Sequence, residues 1–455
     1  MNGSILGNDK KKAIRGKCGM SKSIWMESEE LPKYKTLKGH VKTDVLVMGG
    51  GICGILCAYF LKQAGLDVVL VEADRICSGV TGNTTAKITS QHGLIYSKLI
   101  KSRGREKAQK YLHFHESAIE KYKELAKEIP CDFETKDSFI YSCYDRKKIE
   151  QETEAVEKLG FAAEFHEKIP IPISVKGAVM FPNQAQFHPI KFLKGIIKDL
   201  KIYEHTFIKD IAPHKAWNDD GQITADKIIV ATHFPFINKH GSYFLKLYQH
   251  RSYVIALEKA QDVHGMYMDS EKTGMSFRNY RDLLLIGGGS HRTGKKGGNW
   301  QELRKFSGAV YPSAREVGAW AAQDCMSLDQ ISYIGWYSKR TSDLYVISGC
   351  NKWGMTTSMA GAMMLCDMLM GKENIYEDVF FPSRNMLKPQ LLLNGAEAVK
   401  NLLTPTTRRC PHLGCALKWN ALEHTWDCPC HGSRFEENGK IIDNPATGNM
   451  KMIHK

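Results

Sequence analysis

Short β-branched apolar runs, separated by glycines, open the ordered-looking part of this chain. From Asp44 it reads DVLVMGGGICGILCAYFLKQAGLDVVLVEADRI. The run Val45–Met48 shows no polar alternation, as expected of a strand buried on both faces in a parallel sheet. The apolar stretch from about Ile52 to Gln63 is too long for a strand and stops at Gly65, so it predicts a helix. A second buried run, Val68–Val71, ends at Glu72. Further on, LLLIGGGSHRTGKKGG from Leu283 reads as a strand and turn. The stretch MTTSMAGAMMLCDMLMG carries Asp367 and reads as a buried helix rather than a membrane span. In YLHFHES, His115 falls on the helical stripe of Leu112, Ile119 and Tyr122, a core position, while His113 faces elsewhere. A helical linker is predicted over about Asn394–Leu403, ending at Pro405.

Composition describes an ordinary globular protein: 455 residues, 43% hydrophobic and 25% charged. The formal net charge is +14, part of it in the run KKKAIRGK, Lys10–Lys17. No basic stripe with interleaved aromatics accompanies it, so no nucleic-acid partner is expected. The first thirty residues lack an apolar signal core, and no long uniform apolar run follows. The expectation is a cytoplasmic protein with no transmembrane segment. Of thirteen cysteines, four fall between Cys410 and Cys430, and this clustering is the non-random part.

Two sets of residues carry chemistry. Gly49, Gly51 and Gly54 stand in GxGxxG spacing between strand and helix. Gly49 permits the tight turn, Gly51 lets the backbone approach a pyrophosphate, and Gly54 lets helix and strand pack closely. The helix start offers N–H groups to phosphate, and Glu72 is placed for a ribose hydroxyl. NAD and FAD both satisfy this pattern; the lack of a second fingerprint favours a tightly held FAD. At the other end, Cys410-x-His412 is followed by Cys428-x-x-His431. Such a set could hold zinc, or a 2Fe–2S cluster with mixed ligands.

Three stretches resemble the FAD-dependent oxidoreductases of the D-amino-acid oxidase and glycine/sarcosine oxidase superfamily. SGVTGNTTAKITSQHGLIY (Ser78–Tyr96) is similar to the segment running past the pyrophosphate toward the flavin. ADKIIVATHFP (Ala225–Pro235) is similar to the strand returning to the nucleotide domain. YVISGCNKWGMTTSMAGAMMLCDMLMG is similar to the last strand, glycine turn and helix. The resemblance implies an α/β (α+β) fold with a split Rossmann-like FAD-binding domain and a β-rich substrate domain. After an N-terminal extension (1–42), this unit would take 43–372. Its FAD part would be about 43–96, 177–236 and 331–372, and its substrate part about 97–176 and 240–328. Pro189 would open a helix on the crossing back. Thr84, Thr85, Gly354, Met355 and Thr356 would join Gly49, Gly51, Gly54 and Glu72 at the cofactor, and His92 would lie near the flavin. Thr356 stands where some members have a carboxylate-binding lysine, leaving Arg251, Arg278 and Lys352 to pair with a substrate carboxylate. Cys325 stands where some relatives attach FAD.

CPHLGC and CPCHGSRF resemble the ligand loops of Rieske 2Fe–2S proteins, and NGKIIDNPATGNM resembles their final strand and proline loop. By that resemblance Cys410, His412, Cys428 and His431 hold the cluster, and Cys415 and Cys430 form a disulfide. The module would be small and all-β (405–455, after a linker at 373–404), and shortened by the loss of its strand base. A flavin beside such a cluster implies oxidation of an amine or amino acid by hydride transfer to FAD. Electrons would then leave singly to an acceptor protein or quinone. The alternatives are a non-catalytic flavin/iron–sulfur electron-transfer protein, or a simple amine oxidase with a vestigial tail. A Rieske-type oxygenase is disfavoured, because His113, His115 and Glu116 do not share a helix face.

Overall fold

The computed structural model describes residues 22–271 and 274–451; the basic run Lys10–Lys17 lies outside them. The strand Gly39–Met48 is central to an eight-stranded sheet, with Val68–Val71 parallel on one side and Gly221–Val230 on the other. Lys201–Tyr203 and Leu344–Ser348 extend the parallel order outward, and Tyr333–Trp336 closes one edge antiparallel. The helices Ile52–Gln63 and Gly354–Leu369 pack together on this sheet, and most of their residues, with the strand stretch Val45–Met48 and the whole of Val68–Val71, are buried. These are the elements expected from the unbroken apolar runs.

A second, nine-stranded sheet is almost wholly antiparallel, running from Arg315–Ser327 through Leu247–Glu258 and Leu283–Arg292 to Gly177–Gln186. One expected boundary is corrected here. The segment 177–236 was placed with the nucleotide sheet, but Gly177–Gln186 pairs along its length with Glu134–Ser142 in the second sheet. Lys87–Ile88 also joins that sheet. The chain crosses over only after the helix Pro189–Ile196, which His188 caps through a hydrogen bond from the Lys191 N–H. His115 is fully buried, as its stripe predicted, and His113 is exposed.

The C-terminal module is an antiparallel sheet of four three-residue strands, Lys418–Asn420, Thr425–Asp427, Arg434–Glu436 and Ile441–Asp443. The preceding helix runs from Pro389 to Leu403, longer than predicted, and is part of the module rather than a free linker. Its burial is inverted. Asn394 and Asn401 are buried, whereas Leu392, Leu393, Val399, Leu402 and Leu403 are exposed. The polar face turns inward because it is needed there. Asn394 Oδ1 accepts from Arg292 Nη1 (2.9 Å), Glu397 pairs with Lys295 (2.6 Å), and Ala398 packs on the cysteine cluster. No helix among the described residues is long and apolar enough to cross a membrane.

Module and flavin-type domain meet around one carboxylate. Glu423 Oε1 accepts from Arg251 Nε (3.1 Å) and Tyr253 OH (2.9 Å) on the second sheet. Its Oε2 bonds Arg251 Nη2 and accepts from Arg434 Nη2 (2.7 Å) within the module. Burial alone would raise the Glu423 pKa, but the two guanidiniums outweigh it and hold the carboxyl far below the usual carboxylate range. A depressed folded-state pKa stabilises the fold above the unfolded value of about 4.3 and ceases to do so as pH falls through the acid range. Thermal unfolding of the full chain is therefore expected to show an acid-side loss of stability that Glu423→Gln removes. Glu423→Ala, leaving the buried Arg251 without its carboxylate, should cost about 3–5 kcal/mol.

Candidate redox site

The glycine turn does what its spacing requires. Gly49 has φ +111°, and a Cβ there would lie 2.5 Å from the Ala231 carbonyl oxygen. A Cβ on Gly54 would lie 1.9 Å from the Gly49 oxygen, so helix and strand touch through their backbones. The Thr81 hydroxyl accepts from the Ile52 N–H (2.9 Å) at the helix start. Glu72 ties the loop: Oε2 accepts from the Gly50 N–H (2.6 Å) and Oε1 from the Asp74 N–H (2.9 Å), and burial raises its pKa. Each oxygen keeps a lone pair for a further donor.

A cavity of about 1010 Å³ starts at this turn. Gly49, Gly51, Glu72, Thr84, Thr85, Gly354 and Met355 line it, seven of the residues expected at a cofactor. Gly54 is absent from the wall because its role is packing. Two expected residues are corrected. Thr356 is buried away from the cavity and donates its hydroxyl to the Thr89 oxygen (3.0 Å). His92, expected near the flavin, does not line the cavity either. Its Nε2 bonds the Thr89 oxygen (2.9 Å) and its Nδ1 bonds Tyr111 OH (2.6 Å), so the neutral ring is saturated. Burial drives its pKa down to about 3. The ring stacks behind Trp353, centroids 4.9 Å apart, and it is Trp353 that reaches the cavity. Cys325 lines the wall as a thiol whose pKa burial pushes up to about 12, unsuited to covalent attachment as a thiolate.

Of the three cations expected to meet a carboxylate, Arg251 is taken by Glu423. Arg278 is buried and donates to the Thr85 (2.7 Å) and Ala86 (2.8 Å) carbonyls. Lys352 lines the cavity and heads a chain. Its Nζ donates to Ser290 Oγ (3.1 Å), Ser290 Oγ bonds Ser252 Oγ (3.2 Å), and Ser252 donates to Asp324 (3.0 Å). Lys87 was not singled out by spacing. It lines the cavity with its Nζ enclosed and unpartnered, and burial, then Arg278, pulls its pKa to about 7. Its signal in the sequence is only a lone charge in TTAKITS.

The two loops at the C-terminus repeat one geometry. The Cys410 N–H donates to Cys415 O and the Gly414 N–H to Cys410 O; the Cys428 N–H donates to Ser433 O and the Gly432 N–H to Cys428 O, all at 2.9 Å. Gly414 (φ +76°) and Gly432 (φ +87°) make both turns possible. The loops bring Cys410 into hydrogen-bonding contact with Cys428, and His412 within 4.9 Å of His431, centroid to centroid. Burial lowers both imidazole pKa values, and His431 adds to this at His412, bringing it to about 4. The Nδ1 atoms of both histidines are buried with no hydrogen-bond partner. Two thiols and two neutral imidazoles with orphaned Nδ1 atoms fit the mixed ligation of a 2Fe–2S cluster. Cys415, Cys428 and Cys430 place their sulfurs within 4.8 Å of one another; Cys415 and Cys430 are unbonded thiols here.

The family model for FAD dependent oxidoreductases (DAO) matches residues 44–368. The chain belongs to that family. A second model, the Rieske [2Fe-2S] domain, matches 383–454, and so includes the helix Pro389–Leu403. YhfW of Bacillus subtilis (strain 168), named for a Rieske 2Fe-2S centre, is 34% identical over 95% of this chain and 97% of its own. The cytochrome b6-f iron-sulfur subunit of Prochlorococcus marinus is 38% identical over 14% of this chain and 35% of its own. Glycine oxidase from Geobacillus kaustophilus (TM-score 0.65, 16% identity) covers 76% of this chain with 99% of its own. L-proline dehydrogenase from P. horikoshii (TM-score 0.63, 17% identity) covers 76% with 98% of its own. At these identities the structures share the fold.

As a DAO-family protein with a Rieske domain, the chain takes FAD and a 2Fe–2S cluster. The cavity fits the first group, being bounded by the glycine turn, Glu72 and the Met355 helix start. The orphaned imidazole nitrogens fit the second. Gly54→Ala is expected to purify without flavin absorbance, because its Cβ has no room. His412→Ala and His431→Ala should each abolish the low-temperature EPR signal of the reduced cluster. Metal analysis of the unaltered protein should return iron; zinc in its place would contradict the assignment.

Proposed function

We propose that this protein oxidises the C–N bond of an amine or amino acid and delivers the electrons, one at a time, to an acceptor protein or quinone. When bound, FAD supplies a hydride acceptor and the cluster a one-electron outlet. The observation that carries the reading is the direction in which the cluster loops face. His431, 6% exposed, meets Phe234 (6.2 Å) and Phe244 (6.4 Å) of the flavin domain. Gln249 Nε2 donates to the His431 oxygen (3.0 Å) and Gln323 Nε2 to the Gly432 oxygen (2.9 Å). Gln323 and His233, which bonds Gln249 (3.2 Å), both line the cavity. The cavity wall and the cluster loop are thus joined through single side chains.

Within the cavity, the Lys352–Ser290–Ser252–Asp324 chain orients polar groups of the substrate. Lys87, with a pKa near neutrality, is the group suited to take a proton from a substrate ammonium. Fold neighbours whose names include glycine oxidase and L-amino acid deaminase support a substrate of this class. Two further readings belong to the proposal. The unbonded thiols of the body, such as Cys57 and Cys131, favour a cytoplasmic protein. Thiol–disulfide exchange with an oxidised dithiol would link the adjacent Cys415 and Cys430 and pin the two ligand loops together.

Anaerobic mixing with a panel of amines and amino acids tests the reading. A substrate should bleach the flavin and then bring up the EPR signal of the reduced cluster. Rapid peroxide formation with oxygen alone, leaving the cluster oxidised, would overturn the one-electron outlet. With such a substrate, the flavin reduction rate should rise with pH through about 7 as Lys87 loses its proton. Lys87→Met should lose that dependence and about 100-fold or more in rate.

A further inference from the structure

The cavity is not walled by the flavin domain alone. Its lining includes the glycine turn, Glu72 and Thr232 of that domain, and also Lys440, Asp443, Asn444, Thr447 and Asn449 of the Rieske module. We infer that the Rieske module is a structural part of the FAD site, so that FAD and the iron–sulfur cluster are retained cooperatively: each group, once bound, slows the loss of the other.

Asn444 carries the physical link. Its amide donates to the Thr232 oxygen (2.7 Å) and the Phe234 oxygen (2.8 Å). Thr232 follows Ala231, the residue whose carbonyl lies against Gly49. The module thereby buttresses the backbone behind the dinucleotide turn. The Asn444 oxygen accepts from Gln249 Nε2 (3.1 Å), and the same amide nitrogen bonds the His431 oxygen. One glutamine side chain holds both the cavity-lining strand and the ligand loop. A Cβ on Gly432 would lie 2.6 Å from the Gln249 side chain, so loop and glutamine are in close contact. Asp443, next to Asn444, is tied by Arg434 Nη1 (3.2 Å), whose Nη2 bonds Glu423.

These contacts make the docked module one rigid wall. FAD leaves freely only when that wall moves, and the wall is positioned by a loop whose shape the cluster holds. Linkage makes the effect reciprocal: what cluster occupancy does for FAD affinity, FAD occupancy does for cluster affinity.

The test uses the full chain and reads flavin release, not turnover. Flavin fluorescence recovered during dilution gives the FAD dissociation rate. Iron transfer to a coloured chelator gives the rate of cluster loss. Chelation of iron from the unaltered protein is expected to speed FAD release by about tenfold, within the usual range of coupling between sites. FAD-depleted protein should surrender its iron faster than FAD-replete protein. Asn444→Ala should speed FAD release even with the cluster in place. An FAD release rate unchanged by iron removal, with iron loss equally indifferent to FAD, would overturn the inference. So would an Asn444→Ala protein that keeps its cluster and releases FAD at the unaltered rate.

Discussion

A carboxylate side chain buried to 1% exposure survives as an ion only where cations surround it. Glu423 meets that condition with one guanidinium from each domain, Arg251 and Arg434. Arg434 extends the lattice to Asp427 (3.1 Å) and Asp443 (3.2 Å), so a single charged network runs from the second sheet through the module core to the cavity edge. Glu423 has both guanidiniums, and Arg251 has its carboxylate, only while the domains are joined. A module of four three-residue strands has too little core to orient itself, and this network supplies the missing orientation.

The network leaves the ligand loops facing inward. Arg292 clamps one of them, donating from Nε to the Pro429 oxygen and from Nη2 to the Cys430 oxygen, each at 2.9 Å. Gly294 lies beneath the same proline, where a Cβ would come within 2.8 Å of the Pro429 nitrogen. The cluster end of the module is therefore held largely through backbone carbonyls, with His412 Nε2 adding a bond to Asn238 (3.2 Å).

Local chemistry was legible in the sequence and distant contact was not. The helix Ile52–Gln63 matches its expected bounds, because the glycines before it and Gly65 after it act through the backbone of their own segment. The ligand quartet was legible for the same reason: each loop is a self-contained turn. The service of Arg292 to the Pro429 loop was not legible, because it depends on a partner far away in the chain. His92 lies behind Trp353 rather than in the cavity wall, which nearness in sequence to the pyrophosphate loop does not reveal. The sheet that Gly177–Gln186 joins was not legible, because a family resemblance gives the order of segments and not the edge on which each strand pairs. The inverted helix hid behind a similar ambiguity, since its stripe is regular whichever face turns inward.

The walls of the large cavity come from widely separated parts of the chain. The glycine turn is made of residues 49–54, the strand before Ala231 follows much later, and part of the lining comes from residues 440–449. Domains fold largely in the order of their synthesis. The nucleotide sheet must then remain open on one side through most of translation, and the flavin pocket takes its final shape only after the last strands have emerged from the ribosome.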